Sequence, residues 1–107
     1  MTTHTASCRC GQLTAIAQGD PVRVSVCHCL ACQKRTGSAF SVQARWEAES
    51  VEISGDAKQW TRTADSGQTT TYSFCPECGS TVHYSGGEDQ IKITGVTQLT
   101  HTDYLFQ

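Results

Sequence analysis

YSFCPECGS, the stretch Tyr72–Ser80, decides how this chain folds. Cys75 and Cys78 bracket a tight turn, in which Pro76 presets the first backbone dihedral angle and Gly79 allows the backbone to bend past a metal ion. This arrangement is typical of a zinc knuckle. Because a structural zinc site is tetrahedral and closed, the two thiolates require two further ligands from elsewhere in the chain.

Two other groups of cysteines could supply those ligands. Cys8 and Cys10 lie in SCRCGQL, where a glycine again follows the second cysteine. Their union with the knuckle would tie the first strand to a strand more than half the chain away, which closes a long loop with metal. The alternative joins the knuckle to the cysteines of SVCHCLACQKRTGSAF, Ser25–Phe40, and leaves Cys8 and Cys10 as an incomplete site. Spacing favours the first partition and leaves the second open.

In the first partition, Cys27, Cys29 and Cys32 remain together as Cys-His-Cys-x-x-Cys. We expect Cys27 and Cys29 to lie on the same side of a strand end, with Cys32 brought back by a helical turn. Three thiolates can hold zinc while the fourth coordination position stays free for water or a substrate thiol. An open position is what a catalytic zinc requires.

The number of cysteines favours metal ligation over disulfides. Full disulfide pairing of seven cysteines would leave one thiol over, whereas one closed and one open metal site use all of them. The start of the sequence, MTTHTASCRC, lacks the basic segment and apolar core of a secretory signal. We therefore expect a cytoplasmic protein whose thiols stay reduced and ligate zinc.

Length and charge exclude several classes of function. The 107 residues suffice for one compact domain, which we assign to residues 1–107. The formal net charge of −2 indicates no basic face of the kind that nucleic acid or an anionic membrane would need. The apolar runs are too short to span a membrane. We therefore expect neither nucleic acid nor a membrane as a partner.

Most of the chain has β character. Apolar residues alternate with a period of two at Val22–Val26 and Phe40–Trp46, and turn residues separate further strands. These further strands are Leu13–Ala17, Val51–Ile53, Gln59–Thr63, Thr69–Phe74, Thr81–Tyr84 and Gln90–Thr94. One short helix is predicted at Leu30–Arg35, with Gly37 as its left-handed cap. Four aromatic side chains are interpreted as core: Phe40, Trp46, Trp60 and Phe74.

Three motifs follow one another along the chain. They are Cys-x-Cys-Gly at Cys8–Gly11, Cys-His-Cys-x-x-Cys-Gln-Lys at Cys27–Lys34 and Phe-Cys-x-x-Cys-Gly-Ser at Phe74–Ser80. This order resembles that of the glutathione-dependent formaldehyde-activating enzyme family, which includes the centromere protein V-like domains. The resemblance extends from about Ser7 to about Val96.

The resemblance implies a mainly β fold of the Mss4-like (β-tent) type. Zinc would staple several short antiparallel sheets, and one short helical turn would follow the CHCxxC motif. Two zinc ions are implied for each chain. The structural ion would be held by Cys8, Cys10, Cys75 and Cys78. The catalytic ion would be held by Cys27, Cys29 and Cys32.

The resemblance also implies a zinc-dependent carbon–sulfur lyase, similar to S-(hydroxymethyl)glutathione synthase. A glutathione-type thiol would bind at the open zinc and form a hemithioacetal with formaldehyde or another small aldehyde, or the adduct would be cleaved. Lys34 and Arg35 at the helix end are candidates for binding the carboxylates of that thiol. His28, between two ligands, is expected to point away from the metal.

A second hypothesis is a non-catalytic zinc module of the same fold, which acts as a scaffold or senses thiols. The fourth ligand of the Cys27, Cys29 and Cys32 site distinguishes the two hypotheses. Closure of that site by His83, by an acidic residue or by a partner chain would argue against catalysis there.

Overall fold

The computed structural model describes residues 3–86, 90–94 and 104–106. The strands in these ranges are β1 Thr3–Ser7, β2 Thr14–Gln18, β3 Arg23–Cys27, β4 Ser41–Glu47, β5 Val51–Ser54, β6 Lys58–Thr63, β7 Thr69–Phe74, β8 Thr81–Ser85, β9 Gln90–Ile93 and β10 Tyr104–Phe106. Helix α1 spans Leu30–Thr36, and a single 3₁₀ turn spans Ala48–Ser50. No helix in the described ranges is both long and apolar enough to cross a membrane.

The strands form two sheets. One sheet has the order β1-β2-β5, and the other has the order β10-β3-β4-β9-β8-β7-β6. This architecture confirms the expected mainly β, Mss4-like fold with one short helix after the CHCxxC motif. The sheets, of three and seven strands, are antiparallel as expected, except that β10 pairs parallel with β3. Parallel pairing needs a long crossover, which the chain between β3 and β10 provides.

Strands β2 to β9 are the strands that the sequence pattern predicts, whereas β1 and β10 were not predicted. In β1 the inward-facing side chains are His4 and Ala6, both of which are buried. Neither residue type is a strong strand signal, so the alternation of β1 is invisible in a hydrophobic pattern.

The core lies between the two sheets. The three-stranded sheet contributes small inward side chains, which allow close packing: Ala6, Ala15 and Ala17. Trp46 on β4 is fully buried, and its indole N–H donates to the backbone oxygen of Gly19 at 3.0 Å. Cys8 and Cys75 belong to the same buried cluster. One group of cysteines is therefore continuous with the core.

The core assignment of the aromatic side chains is confirmed for Trp46 and wrong for two others. Trp60 is 56% exposed and Phe40 is 47% exposed. Trp60 lies on β6, an edge strand on which every side chain except that of Arg62 is exposed. Alternation shows that two faces differ, but it does not show whether another layer covers either face. Phe74 is only partly buried.

Candidate metal centres

The structure brings the cysteines together in two clusters. The four-cysteine cluster consists of Cys8, Cys10, Cys75 and Cys78. The three-cysteine cluster consists of Cys27, Cys29 and Cys32. Within each cluster all sulfur atoms lie within 4.8 Å of one another, and all seven cysteines are free thiols. This is the first of the two partitions, and the alternative that left Cys8 and Cys10 incomplete is not the arrangement adopted.

The sulfur separations in the four-cysteine cluster suit zinc. The Sγ atoms of Cys8 and Cys10 are 3.6 Å apart, and those of Cys10 and Cys75 are 3.7 Å apart. Tetrahedral zinc with Zn–S bonds of about 2.3 Å requires sulfur separations of about 3.8 Å. The side chains therefore fit a closed site without rearrangement of the backbone.

Two turns with similar hydrogen bonds build this cluster. Backbone N–H groups of Cys8 and Cys75 donate to the carbonyl oxygens of Leu13 and Ser80, each at 2.9 Å. In return, the N–H of Leu13 donates to Cys8 Sγ at 3.3 Å, and the N–H of Glu77 donates to Cys75 Sγ at 3.3 Å. Such donors stabilise thiolates and orient them toward a shared ion.

Gln12 is a supporting residue that the sequence reasoning missed. Its Nε2 donates to Cys75 Sγ at 3.0 Å and to the backbone oxygen of Asp56 at 2.7 Å, and its Oε1 accepts from the Asp56 N–H at 2.9 Å. Gln12 therefore links the metal site to the turn between β5 and β6. Since Asp56 is 44 positions away, no local pattern could have revealed this contact.

The thiols of the four-cysteine cluster ionise at different pH values. Hydrogen bonds from the side chain and backbone of Ser80 lower the pKa of Cys78 to about 5. At Cys8, burial opposes ionisation, but the Leu13 N–H and the Cys10 thiol outweigh it, so the pKa is lowered. Cys10 has a pKa raised to about 11, because the neighbouring Cys8 and burial outweigh its Gln12 hydrogen bond. Cys78 and Cys8 therefore become thiolates at lower pH than Cys10 does.

The three-cysteine cluster is built by the junction of β3 and α1. Cys27 ends β3, Cys29 caps α1, and the Cys32 N–H donates to Cys29 Sγ at 3.4 Å. Helix α1 ends at Gly37, which is left-handed at φ 68° and donates its N–H to the Gln33 oxygen, as predicted. The cap geometry of one short helix thus fixes two of the three thiols.

Within residues 3–86, 90–94 and 104–106, no histidine or carboxylate joins the three-cysteine cluster. His28 is exposed, and its ring centroid lies 5.8 Å from that of Phe40. His83 on β8 has a pKa lowered by burial and lies outside the cluster. Cys29 is exposed, whereas Cys27 and Cys32 are partly buried. The described residues therefore provide three ligands at an accessible position.

The thiols of this cluster also ionise at different pH values. The Cys32 N–H lowers the pKa of Cys29, against the opposing effect of burial. Burial raises the pKa of Cys32 to about 12, and the adjacent Cys27 and Cys29 add to the rise. The exposed Cys29 therefore becomes a thiolate at a lower pH than Cys32 does.

A cleft of about 960 Å³ lies between α1 and strands β6 and β7, and its lining includes Leu30 and Ala31, which stand between Cys29 and Cys32 in the sequence. Among the described residues, the charged ones that line it are all basic: Lys34, Arg35, Lys58 and Arg62. Its apolar and aromatic lining includes Leu30, Trp60, Tyr72 and Phe74. The volume lies at the upper end of the range of ligand pockets, and the lining selects for an anion with apolar parts.

The family profile described as "Glutathione-dependent formaldehyde-activating enzyme" matches residues 3–103. The chain belongs to this family. A crystal structure of a Rhodobacter sphaeroides protein is similar with a TM-score of 0.65 and 13% sequence identity, over 94% of this chain and 99% of that chain. At this identity the similarity concerns the fold alone. No curated protein matches the chain significantly.

In this member of the glutathione-dependent formaldehyde-activating enzyme family, both predicted carboxylate-binding residues line the cleft. The guanidinium of Arg35 lies over the rings of Tyr72 and Tyr84, at 5.1 and 5.0 Å from their centroids. Its Nη2 also donates to Ser41 Oγ at 3.0 Å. Arg35 is thus held in place, whereas Lys34 forms no ion pair within the described part of the chain.

Tyr84 is a second residue that the sequence reasoning missed. It is 6% exposed, and burial raises the pKa of its phenol above the ordinary value, although the charge of Arg35 opposes the rise. The negative charges of Cys32 and Cys27 act on it in the same direction as burial. Tyr84 is therefore protonated at neutral pH, and its ring lies under Arg35, which lines the cleft.

Proposed function

We propose that this protein binds zinc and performs carbon–sulfur lyase chemistry at the three-cysteine cluster. A glutathione-type thiol and formaldehyde or another small aldehyde would form a hemithioacetal there, or the adduct would be cleaved. One observation carries the proposal: three thiols, one of them exposed, have no fourth ligand among the described residues and lie at the start of α1, and this helix forms one wall of a cleft whose described charged residues are all basic. This combination suits an anionic thiol.

Zinc is the metal that we assign to both clusters, because thiolates select it and the sulfur separations suit tetrahedral geometry. The structural ion would be held by Cys8, Cys10, Cys75 and Cys78. The second ion would be held by Cys27, Cys29 and Cys32. Zinc with an open position supplies a Lewis acid that lowers the pKa of a thiol.

The cations of the cleft bind the substrate. A glutathione-type thiol carries two carboxylates, and Lys34 and Arg35 on α1 face Lys58 and Arg62 on β6 across the same cleft. Ser41, which accepts from Arg35, itself donates to Gln43 Oε1 at 3.2 Å. This chain of hydrogen bonds fixes the direction of the guanidinium, which favours bidentate binding of a carboxylate.

The addition requires one proton transfer and no oxidant. The sulfur electron pair forms the S–C bond, the π pair of the carbonyl moves to oxygen, and that oxygen takes up a proton. Tyr84 is the donor that we assign, because its ring lies under Arg35, which lines the cleft, and its phenol remains protonated at neutral pH. Ionisation of the thiol releases one proton to the medium, from which Tyr84 is reprotonated, so the overall addition is balanced.

Exchange spectroscopy by NMR tests this function. Glutathione and formaldehyde are mixed with zinc-loaded protein, and the exchange rate between free thiol and adduct is compared with that of the uncatalysed reaction. We expect wild type to accelerate exchange, Cys29→Ser to abolish the acceleration, and Tyr84→Phe to lower it by about tenfold or more. Uncatalysed rates in the presence of the folded wild type would contradict the proposal.

A non-catalytic thiol sensor is the second candidate. It rests on the exposure of Cys29 together with its lowered pKa, both of which favour reaction of this thiol with an oxidant. A sensor would release one zinc per chain when treated with mild peroxide and would not accelerate exchange. The catalytic proposal requires acceleration under reducing conditions.

A further inference from the structure

Three aromatic rings form a row across strands β6, β7 and β8. The register places Trp60 opposite Tyr72, and Tyr72 opposite Tyr84. The ring centroids of Trp60 and Tyr72 are 5.8 Å apart with planes at 25°, and those of Tyr72 and Tyr84 are 4.9 Å apart at 35°. The row runs from the sheet interior to its edge at β6.

The two ends of this row differ in what covers them. Arg35 lies over Tyr72 and Tyr84, which are 9% and 6% exposed. Within the described residues no cation lies over Trp60, which is 56% exposed and lines the cleft. An exposed indole beside a cleft is a stacking surface, because every planar aromatic group has a π face that can pack on it.

Cations flank this surface. Lys58 and Arg62 lie two positions before and after Trp60, so strand alternation places all three on one face of β6. All three line the cleft, and no acidic residue among those that the structure describes joins them there. Lys34 and Arg35 face them from α1. The indole is therefore surrounded by positive charge on the side from which a ligand approaches.

We infer that the cleft accepts an anionic thiol adduct that carries a planar aromatic group, which stacks on Trp60 while its carboxylates lie against the surrounding cations. This deepens the proposed function, on which it rests for the thiol, and extends the carbonyl partner from formaldehyde to aromatic aldehydes. The cleft volume of about 960 Å³ leaves room for such a group beside a tripeptide.

Two matched probes test the inference by titration calorimetry. One is glutathione with a benzyl group on sulfur, and the other is glutathione with a methyl group on sulfur. Wild type should bind the benzyl probe about tenfold more tightly than the methyl probe. Trp60→Ala should remove this preference, and Trp60→Phe should keep most of it. Val22→Ala, which changes an equally exposed apolar residue outside the cleft, should leave it unchanged.

Equal affinities for the two probes in wild type, or a preference that survives Trp60→Ala, would overturn the inference. The probes have no free thiol, so their binding does not depend on the proposed chemistry. A preference that persists in Cys29→Ser, together with uncatalysed exchange in wild type, would leave the inference standing and overturn the proposed function. Catalysed exchange of formaldehyde without a benzyl preference would do the reverse.

Discussion

The two cysteine clusters present the same ligand atoms from different parts of the fold. The four-cysteine cluster joins the turn after β1 to the turn between β7 and β8, and its Cys8 and Cys75 are buried in the core. The three-cysteine cluster comes from one short segment between β3 and α1, and its Cys29 is exposed. A metal in the four-cysteine cluster closes a long loop of the chain, whereas a metal in the three-cysteine cluster closes only a very short one.

This difference separates stability from reactivity. A ligand that ties distant segments together cannot leave the metal without loosening the fold. A ligand that comes from a helix cap can exchange or react, because the remaining strands stay in place. Substitutions in the two clusters should therefore have different consequences. Those in the four-cysteine cluster should lower the stability of the fold, and those in the three-cysteine cluster should leave the fold in place.

The largest expected effect follows from Cys75→Ser in the four-cysteine cluster. Cys75 is fully buried, and loss of one ligand weakens a site whose metal contributes roughly 10 kcal/mol, comparable with the total stability of a domain. We expect no cooperative thermal transition by circular dichroism. Cys32→Ser in the three-cysteine cluster is the matched control and should melt cooperatively. If Cys75→Ser melts cooperatively near the wild-type temperature, the four-cysteine cluster is not the one on which the stability of the fold depends.

A smaller effect is expected from Gly55→Ala, at the turn that Gln12 holds against Cys75. A Cβ at Gly55 would clash with the Gln12 carbonyl oxygen and lie 2.9 Å from Leu13 Cα, and its φ of +105° is unfavourable for alanine. We expect a loss of about 3 kcal/mol in urea unfolding. Gly67→Ala, at φ +91° in open space, should cost only about 1 kcal/mol. Equal losses of unfolding free energy in Gly55→Ala and Gly67→Ala would show that the turn at Gly55 does not support the four-cysteine cluster.

The smallest effect concerns pH. The pKa of Cys78 is about 5 in the folded protein and 9.0 ordinarily, so the folded state binds fewer protons between these values. Its contribution to stability is complete above about pH 9 and is lost as the pH falls through about 5. The melting temperature should therefore fall as the pH is lowered from about 9 to about 5. Ser80→Ala removes the side-chain hydrogen bond, which is the largest cause of the lowered pKa, so its melting temperature should fall less and level off at a higher pH. If wild type and Ser80→Ala give superimposable profiles of melting temperature against pH, the Ser80 side chain does not cause the lowered pKa of Cys78.

Much of the metal chemistry could be predicted from the sequence, because cysteines are chemically distinctive and their spacing limits which thiols can meet. The helix between Leu30 and Thr36 was predictable for a similar reason, since Gly37 marks its end. Both features depend on neighbouring residues. The partition of the clusters needed the fold, because spacing alone left two arrangements open.

The contacts that shape the cleft could not be predicted. The strand patterns that contain Trp60 and Tyr72 are those of core residues. Trp60 is nevertheless exposed, because its strand β6 lies at the edge of the sheet. Arg35 was predicted as a ligand-binding cation, but its position over the rings of Tyr72 and Tyr84 depends on how α1 packs across two strands. Such contacts join distant segments, and no local pattern encodes them.

Metal content tests the division between the clusters most directly. Zinc per chain is measured by mass spectrometry in wild type and in Cys29→Ser, and the same samples are melted by circular dichroism. We expect about two zinc ions in wild type and about one in a Cys29→Ser protein that keeps its cooperative transition. Loss of the transition in Cys29→Ser, or unchanged zinc content, would contradict the assignment of the three-cysteine cluster as an open site separate from the fold.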